Sequence, residues 1–360
     1  MQRLVKIIAL LLVALSLQSL PAAQKVVLVA GGGDRSDGSP AVEAKLDSPF
    51  GVDFDRAGNL FLVELTGQRV RKIDKDGVLS TVAGDGTQGN RGDGGAAKQA
   101  QFNGTHNLAI GPDDTIYVAD TWNNCVRAID PRSGKIKRIA GMGEKGFSGD
   151  GGPATEAKLG GVYCASLNQT GDKLYLADLD NRRIRAVDLR TGIITTVAGN
   201  GERGVPRDGT SATDAPLVDP RAVAVDKANN IYVLERSGNA LRVVRPEGKI
   251  RTVVGTGKAG NSGDDGNPRA ATLNGPKHLC FDHSGNVIIA DTENHVIRKY
   301  IVGENKIVRL VGSGRKGKAG IGGAPLEVEL NQPHGVYMHR DGTLYIADSS
   351  NHRVLKIVDE

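Results

Sequence analysis

Beyond residue 24 the chain is a succession of short apolar runs separated by clusters of Gly, Asp and Asn. TIYVAD, KLYLAD, NVIIAD and TLYIAD are four such runs. CVRAID, RIRAVD and VIRKY belong to a second set, and VLSTVAG, IKRIAG, IITTVAG, IRTVVG and IVRLVG to a third. All are rich in β-branched residues and bounded by turn formers, so they are predicted strands. None keeps a 3.6-residue apolar period long enough for an amphipathic helix.

The runs are in register. The apolar residue after each Gly-Asp loop is Leu46, Phe102, Leu159, Leu217, Leu273 and Leu330, at steps of 56, 57, 58, 56 and 57 residues. It lies 18 positions beyond Gly84, Gly141, Gly199, Gly255 and Gly312. Four strands per unit and six units predict an all-β fold, a six-bladed β-propeller of four-stranded antiparallel blades starting near those six positions. The sixth unit holds three strands before Glu360, and KVVLVAGGG from Lys25 matches the fourth-strand pattern ITTVAGNG. Strand 25–30 is therefore expected to complete the last blade, making 24–360 a single domain.

Residues 1–23 read differently. Arg3 and Lys6 precede an apolar run from Ile7 to Leu17, and Ala22 and Ala23 follow it. That is the layout of a secretory signal peptide, too short for a comfortable membrane span. The expectation is a secreted or periplasmic protein, exported without membrane insertion, and a monomer. A leader of this kind takes two positive charges from the formal +5. So mild a balance gives no footing for a nucleic-acid partner. Cys125, Cys164 and Cys280 are odd in number and lack any C-x-x-C spacing, which excludes a disulfide framework or a zinc-thiolate cluster.

YVADTWNNCVRAID, YLADLDNRRIRAVD, IADTENHVIRKY and YIADSSNHRVLKI, each preceded by a P-x-G-[VL]-like segment, resemble NHL repeats. The copies at Glu64 and Glu235 depart from the pattern, with Glu for Asp and Gly for Asn. The resemblance covers the region after residue 24 and implies a six-bladed propeller. It leaves function open, because such propellers serve as RNA readers, binding platforms, lyases and hydrolases.

Repetition separates scaffold from candidates. Asp120, Asp178, Asp291 and Asp348 end second strands and are expected to accept backbone N–H groups of the following turn. Arg71, Arg127, Arg185, Arg242 and Arg298 form a ladder expected to pair with acids or carbonyls. G-x-G-x-x-G recurs in five connections without the following helix of a dinucleotide site. GSGRKGKA from Gly312 ends in Ala319 and lacks the hydroxyl of a P-loop. The GDGG-type loops carry Asp37, Asp93, Asp150, Asp208 and Asp264, with Ile321 in the last copy; they read as turns, with one helical turn near Ala154 and Glu156.

The position after the first-strand proline is not repeated. It reads Phe50, His106, Tyr163, Arg221, Lys277 and His334, and the next reads Gly51, Asn107, Cys164, Ala222, His278 and Gly335. Innermost strands would place these residues around one mouth of the channel, a polar and mildly basic funnel. His106, Asn107, Tyr163, Arg221, Lys277, His278 and His334 are the candidate ligand-binding residues. The reading is a non-enzymatic binding module for a protein, peptide or glycan, with no catalytic residue and no cofactor. The alternative is an exported lactonase-type hydrolase or lyase with a divalent metal in the channel. Peptidyl-hydroxyglycine amidating lyases, which are NHL-like, hold zinc with three histidines in alternate blades. His334 and His106 match that set, but Arg221 stands at the third position, and catalytic zinc wants three protein ligands. A Cys164–His106 dyad is less favoured than a buried structural thiol.

Overall fold

The computed structural model describes residues 23–360; the expected signal peptide lies outside them except for Ala23. Among the described residues, 24 strands form six four-stranded antiparallel sheets. Blade 1 spans Pro49–Phe54, Leu60–Glu64, Arg69–Ile73 and Leu79–Ala83. Blades 2 to 5 repeat that meander, with first strands at Thr105–Ile110, Val162–Leu167, Pro220–Val225 and His278–Phe281. Blade 6 takes Pro333–Met338, Leu344–Asp348 and Arg353–Asp359 from the C-terminal end, and Gln24–Ala30 as its outer strand. Val26 pairs with Ile357 and Leu28 with Leu355, so the first strand of the chain closes the ring. First strands of consecutive blades lie side by side, that of blade 6 beside that of blade 1, and they wall the channel.

Leu46, Phe102, Leu159, Leu217, Leu273 and Leu330 are each at most 2% exposed and seal the seams between blades. The connections before them turn on glycine. Gly141 has φ +82°, and a Cβ there would come within 2.2 Å of the Asn124 carbonyl oxygen. The single helical turn expected near Ala154 is a 3₁₀ turn over Ala154–Glu156.

The repeated acids do something other than the turn chemistry expected of them. Asp120 Oδ1 accepts from Asn103 N at 2.8 Å, Asp291 Oδ1 from Asn274 N at 2.7 Å and Asp348 Oδ1 from Asn331 N at 2.7 Å. Asp178 takes Gly160 N in the same way. These donors lie in the connection that enters the blade, not in the turn that leaves the second strand. The turn contributes a side chain instead: Asn123, Asn181, Asn294 and Asn351 each donate to the Asp three residues before them.

The two departures from the motif follow from the same geometry. Glu64 Oε1 accepts from Asp47 N and Glu235 Oε1 from Val218 N, again in the incoming connection. A Cβ on Gly67 would lie 2.7 Å from Glu64 Oε2, and one on Gly238 2.8 Å from Glu235 Oε2. The longer acid fills the space an Asn side chain would need, so the Glu and Gly replacements come as a pair.

The residue after that turn is left-handed, at Asn124, His295 and His352 among others. Its side chain latches the next blade. Asn124 Oδ1 accepts from Gly161 N, His295 Nδ1 from Gln332 N and His352 Nδ1 from Ser48 N. The last of these joins blade 6 to blade 1.

The arginine ladder pairs as expected. Arg127 meets Asp93 at 3.0 Å, Arg185 meets Asp150 at 2.8 Å, and Arg298 meets Asp264 at 2.7 Å. The Gly-Asp loops therefore supply counter-ions as well as turns. In blade 6, Leu355 occupies the ladder position opposite Ile346, and the loop carries Ile321. Arg353, two residues earlier, restores the lost bonds by donating to Asp348, Lys318 O and Glu329 O.

Candidate functional site

The channel wall is made of edge strands, and a β-bulge shapes its rim. The pairing of first and second strands slips between Thr105 and Asn107, Val162 and Cys164, Pro220 and Ala222, and Pro333 and Gly335. Blade 1 slips between Pro49 and Val52. A bulge re-aims the extra residue. Here the extra residues are Phe50, His106, Tyr163, Arg221 and His334, and Lys277 takes the equivalent place in blade 5.

The structure brings these side chains together, but as a packed collar rather than an open funnel. The Arg221 guanidinium lies 4.5 Å from the centre of the Tyr163 ring. Tyr163 meets His106 at 4.5 Å, His106 meets Phe50 at 5.2 Å, and Phe50 meets His334 at 4.1 Å. Five consecutive blades thus contribute a continuous arc of stacked groups. Lys277 completes the circle and is tied to Glu293 at 2.7 Å. Convergence at the axis is the physical reason for the closure: six long side chains share the narrowest part of the ring. Phe50, His106 and Arg221 are 5%, 9% and 3% exposed.

Asn107 and His278 behave differently from the collar. They belong to blades 2 and 5, on opposite sides of the ring, and Asn107 Nδ2 lies 3.0 Å from His278 Nε2. Asn107 Oδ1 also accepts from Ala165 N in the neighbouring blade. The pair bars the channel below the collar.

The charge state of the collar follows from burial. His106 and His334 are held well below the ordinary histidine range by desolvation and by the positive charge of Arg221 and Lys277. Burial also pulls His278 down to about 4 and Arg221 down to about 10. Nδ1 of His106 donates to Gly104 O at 2.7 Å, and Nδ1 of His334 donates to Gln332 O at 2.7 Å. Both rings are therefore neutral with a bare Nε2. Cys164 gives its thiol to Val223 O at 3.6 Å, and burial lifts it to about 11, which removes the thiolate a Cys–His dyad would need. Among the described residues, no group of three or more His, Cys, Asp or Glu is placed to hold a metal ion.

Beyond the Asn107–His278 bar the channel opens into a cavity of about 550 Å³ at the other end. Asn107 and His278 lie in its lining, with Asp53, Ser166, Cys280 and Tyr337 on the walls. Sequence reading missed these wall residues. The fifth first-strand position reads Asp53, Ala109, Ser166, Ala224, Cys280 and Tyr337. The alignment that marked the collar holds the signal for them too. Trp122 and Glu293 at the collar rim were also missed; they sit two residues after a repeated Asp, where the motif leaves side-chain choice free. Trp122 is 49% exposed and its ring centre lies 5.6 Å from that of His106.

A ring of four-stranded blades around a channel lined by unrepeated side chains defines a six-bladed propeller with its variable chemistry on the axis. The NHL repeat family model matches residues 330–357. That stretch is the last of six registered units, and the fold they build is a six-bladed propeller. The chain is 26% identical over 270 residues to Protein SUPPRESSOR OF QUENCHING 1, chloroplastic, of Arabidopsis thaliana, covering 71% of this chain and 25% of that protein. It is 29% identical over 288 residues to NHL repeat-containing protein 2 of Homo sapiens, covering 71% of this chain and 39% of that protein. The chain thus spans less than half the length of these two relatives. Among solved structures, an auxiliary nutrient binding protein from Bacteroides ovatus matches with a TM-score of 0.69 at 16% identity, over 94% of this chain and 77% of that chain. At that identity the likeness is one of fold.

Proposed function

We propose that this propeller is an exported, non-enzymatic binding module whose collar takes an anionic group of a protein, peptide or glycan ligand. Arg221 carries the reading. It is 3% exposed, and its one hydrogen bond among the described residues is Nη1 to Tyr163 O at 3.2 Å. The nearby Asp219 is bound by Arg236 at 3.0 Å. A buried guanidinium without a counter-ion is costly, and its planar fork matches carboxylate or phosphate. His106 and His334, kept neutral by the same positive field, add polar contacts without adding charge. Trp122 offers a flat exposed face at the rim. The leader-like residues 1–23 and the nutrient-binding role named for a propeller of the same fold support export and binding.

The test is a panel of carboxylated, phosphorylated and neutral peptides and glycans. Ligands captured should carry an anionic group, and Arg221→Ala should weaken them at least tenfold and flatten their salt dependence. Capture of neutral ligands alone, or unchanged affinity in the variant, sinks the assignment.

The rival reading, a channel-metal hydrolase or lyase, draws on the two bare Nε2 atoms of His106 and His334, each oriented by a carbonyl as metal-binding histidines are. Two ligands fall short of the three that catalytic zinc uses. The residues present do not fit such a centre. Stoichiometric zinc in the purified protein, lost in His106→Ala, would reverse that judgement.

A further inference from the structure

The cavity at the far end of the channel has its own chemistry. Asp53 is the sole acid at its strand position among the six blades. It faces no lysine, arginine or histidine partner within ion-pair distance among the described residues. Its two oxygens accept one backbone bond each, from Phe54 N at 2.7 Å and Ile110 N at 2.8 Å, and the Tyr337 hydroxyl donates to the same carboxylate. A carboxylate has about four acceptor sites, so part of its capacity is left for a donor in the cavity. Phe54, Phe281 and Tyr337 share the lining with it. At the opening Arg56 is engaged by Asp114 at 2.9 Å, and His339 Nδ1 lies 2.9 Å from an Asp341 oxygen. Arg340 is exposed and donates to Arg56 O.

We propose that this cavity binds a small organic amine, with the ammonium group on the Asp53 carboxylate and the apolar part against Phe54, Phe281 and Tyr337. The volume of about 550 Å³ falls within the roughly 300–1,000 Å³ of small-molecule sites. An ammonium offsets a desolvated carboxylate better than a hydroxyl does, because the bond it makes is charge-assisted. Aromatic faces add cation–π attraction. Those two terms favour an amine over a neutral sugar. Burial lifts Asp53 to about 6, so near neutral pH the group is mostly ionised and held at a cost that a cation relieves. The site is separated from the collar by the Asn107–His278 bar and is independent of the reading given to the collar.

Calorimetric titration at pH 7.5 with benzylamine, benzyl alcohol and glucose tests the proposal. Benzylamine should bind at least tenfold more tightly than benzyl alcohol, and Asp53→Asn should abolish that preference. The comparison of the two benzyl probes needs only the unaltered protein, so it stands even if the variant folds poorly. Equal binding of the two probes, no binding of benzylamine, or a preference for glucose overturns the proposal.

Discussion

The blades and the channel treat buried charge in opposite ways. Arg127, Arg185, Arg242 and Arg298 are each at most 2% exposed, and each has an acid at hand: Asp93, Asp150, Glu235 and Asp264. Arg221 in the channel, 3% exposed, has none among the described residues, and Asp53 lacks a base among them. The repeated charges are neutralised inside the repeat, where they tie a loop to a strand. Of the unrepeated ones, Lys277 is tied to Glu293, while Arg221 and Asp53 are left open on the axis. A buried ion is tolerated when its partner is built in; one without a partner marks a place where the partner comes from outside.

Removing the frame itself gives the largest effect. Deletion of residues 25–30 strips the outer strand from blade 6, together with the bonds Val26 makes to Gly322 and Gly323. The expected result is loss of the cooperative thermal transition, followed by circular dichroism; an unchanged midpoint would show that ring closure carries little weight. Next comes the direct contrast between the two kinds of arginine. Arg185→Met leaves Asp178 and Asp150 uncompensated and should cost about 3–5 kcal/mol in urea unfolding, whereas Arg221→Met should cost under about 1 kcal/mol or stabilise. Equal costs would erase the distinction drawn here.

A smaller effect is a pH slope. Asp53 has a folded pKa raised to about 6 by burial. The folded state holds its proton more tightly than the unfolded chain does. Its contribution is therefore fully present below the unfolded value and lost as pH rises through about 6. The shift corresponds to at most about 3 kcal/mol. Urea midpoints between pH 4 and pH 7 should lose this component of the slope in Asp53→Asn, whatever the offset of the variant; an identical slope would place Asp53 in contact with water. The smallest effect concerns the bar between the two ends. Asn107→Ala removes the bonds to His278 and Ala165 and should cost about 1–2 kcal/mol. A neutral result in the same assay would mean that the bar does not hold the ring.

Much of this was legible beforehand. Six registered copies and a spare strand at Lys25 led to the blade count and to the closure. The role of Asp120 and its counterparts was misplaced by one connection: their acceptor oxygens reach residues about 17 positions upstream, and local turn rules look only at the next few residues. The paired Glu64–Gly67 and Glu235–Gly238 replacements were visible as departures but not as one event, since only the filled space shows why the Asn must go. The collar residues were read as the rim of a funnel, and the structure packs them against one another. The bulge that aims them and the stacking that packs them have no signature in strand periodicity. Asp53 was passed over because the filter stopped at two positions of the first strand.

The chain's periodicity is sufficient for the architecture, because each repeat is a local meander whose pattern of apolar and turn residues specifies its own four strands. What happens on the axis is another matter. Asn107 and His278 stand 171 residues apart and meet at 3.0 Å, and among the described residues Arg221 and Asp53 lack counter-charges because of what the neighbouring blades place beside them. Such relations depend on six separate strands arriving at one line in space, where packing and desolvation act between residues that no local pattern connects.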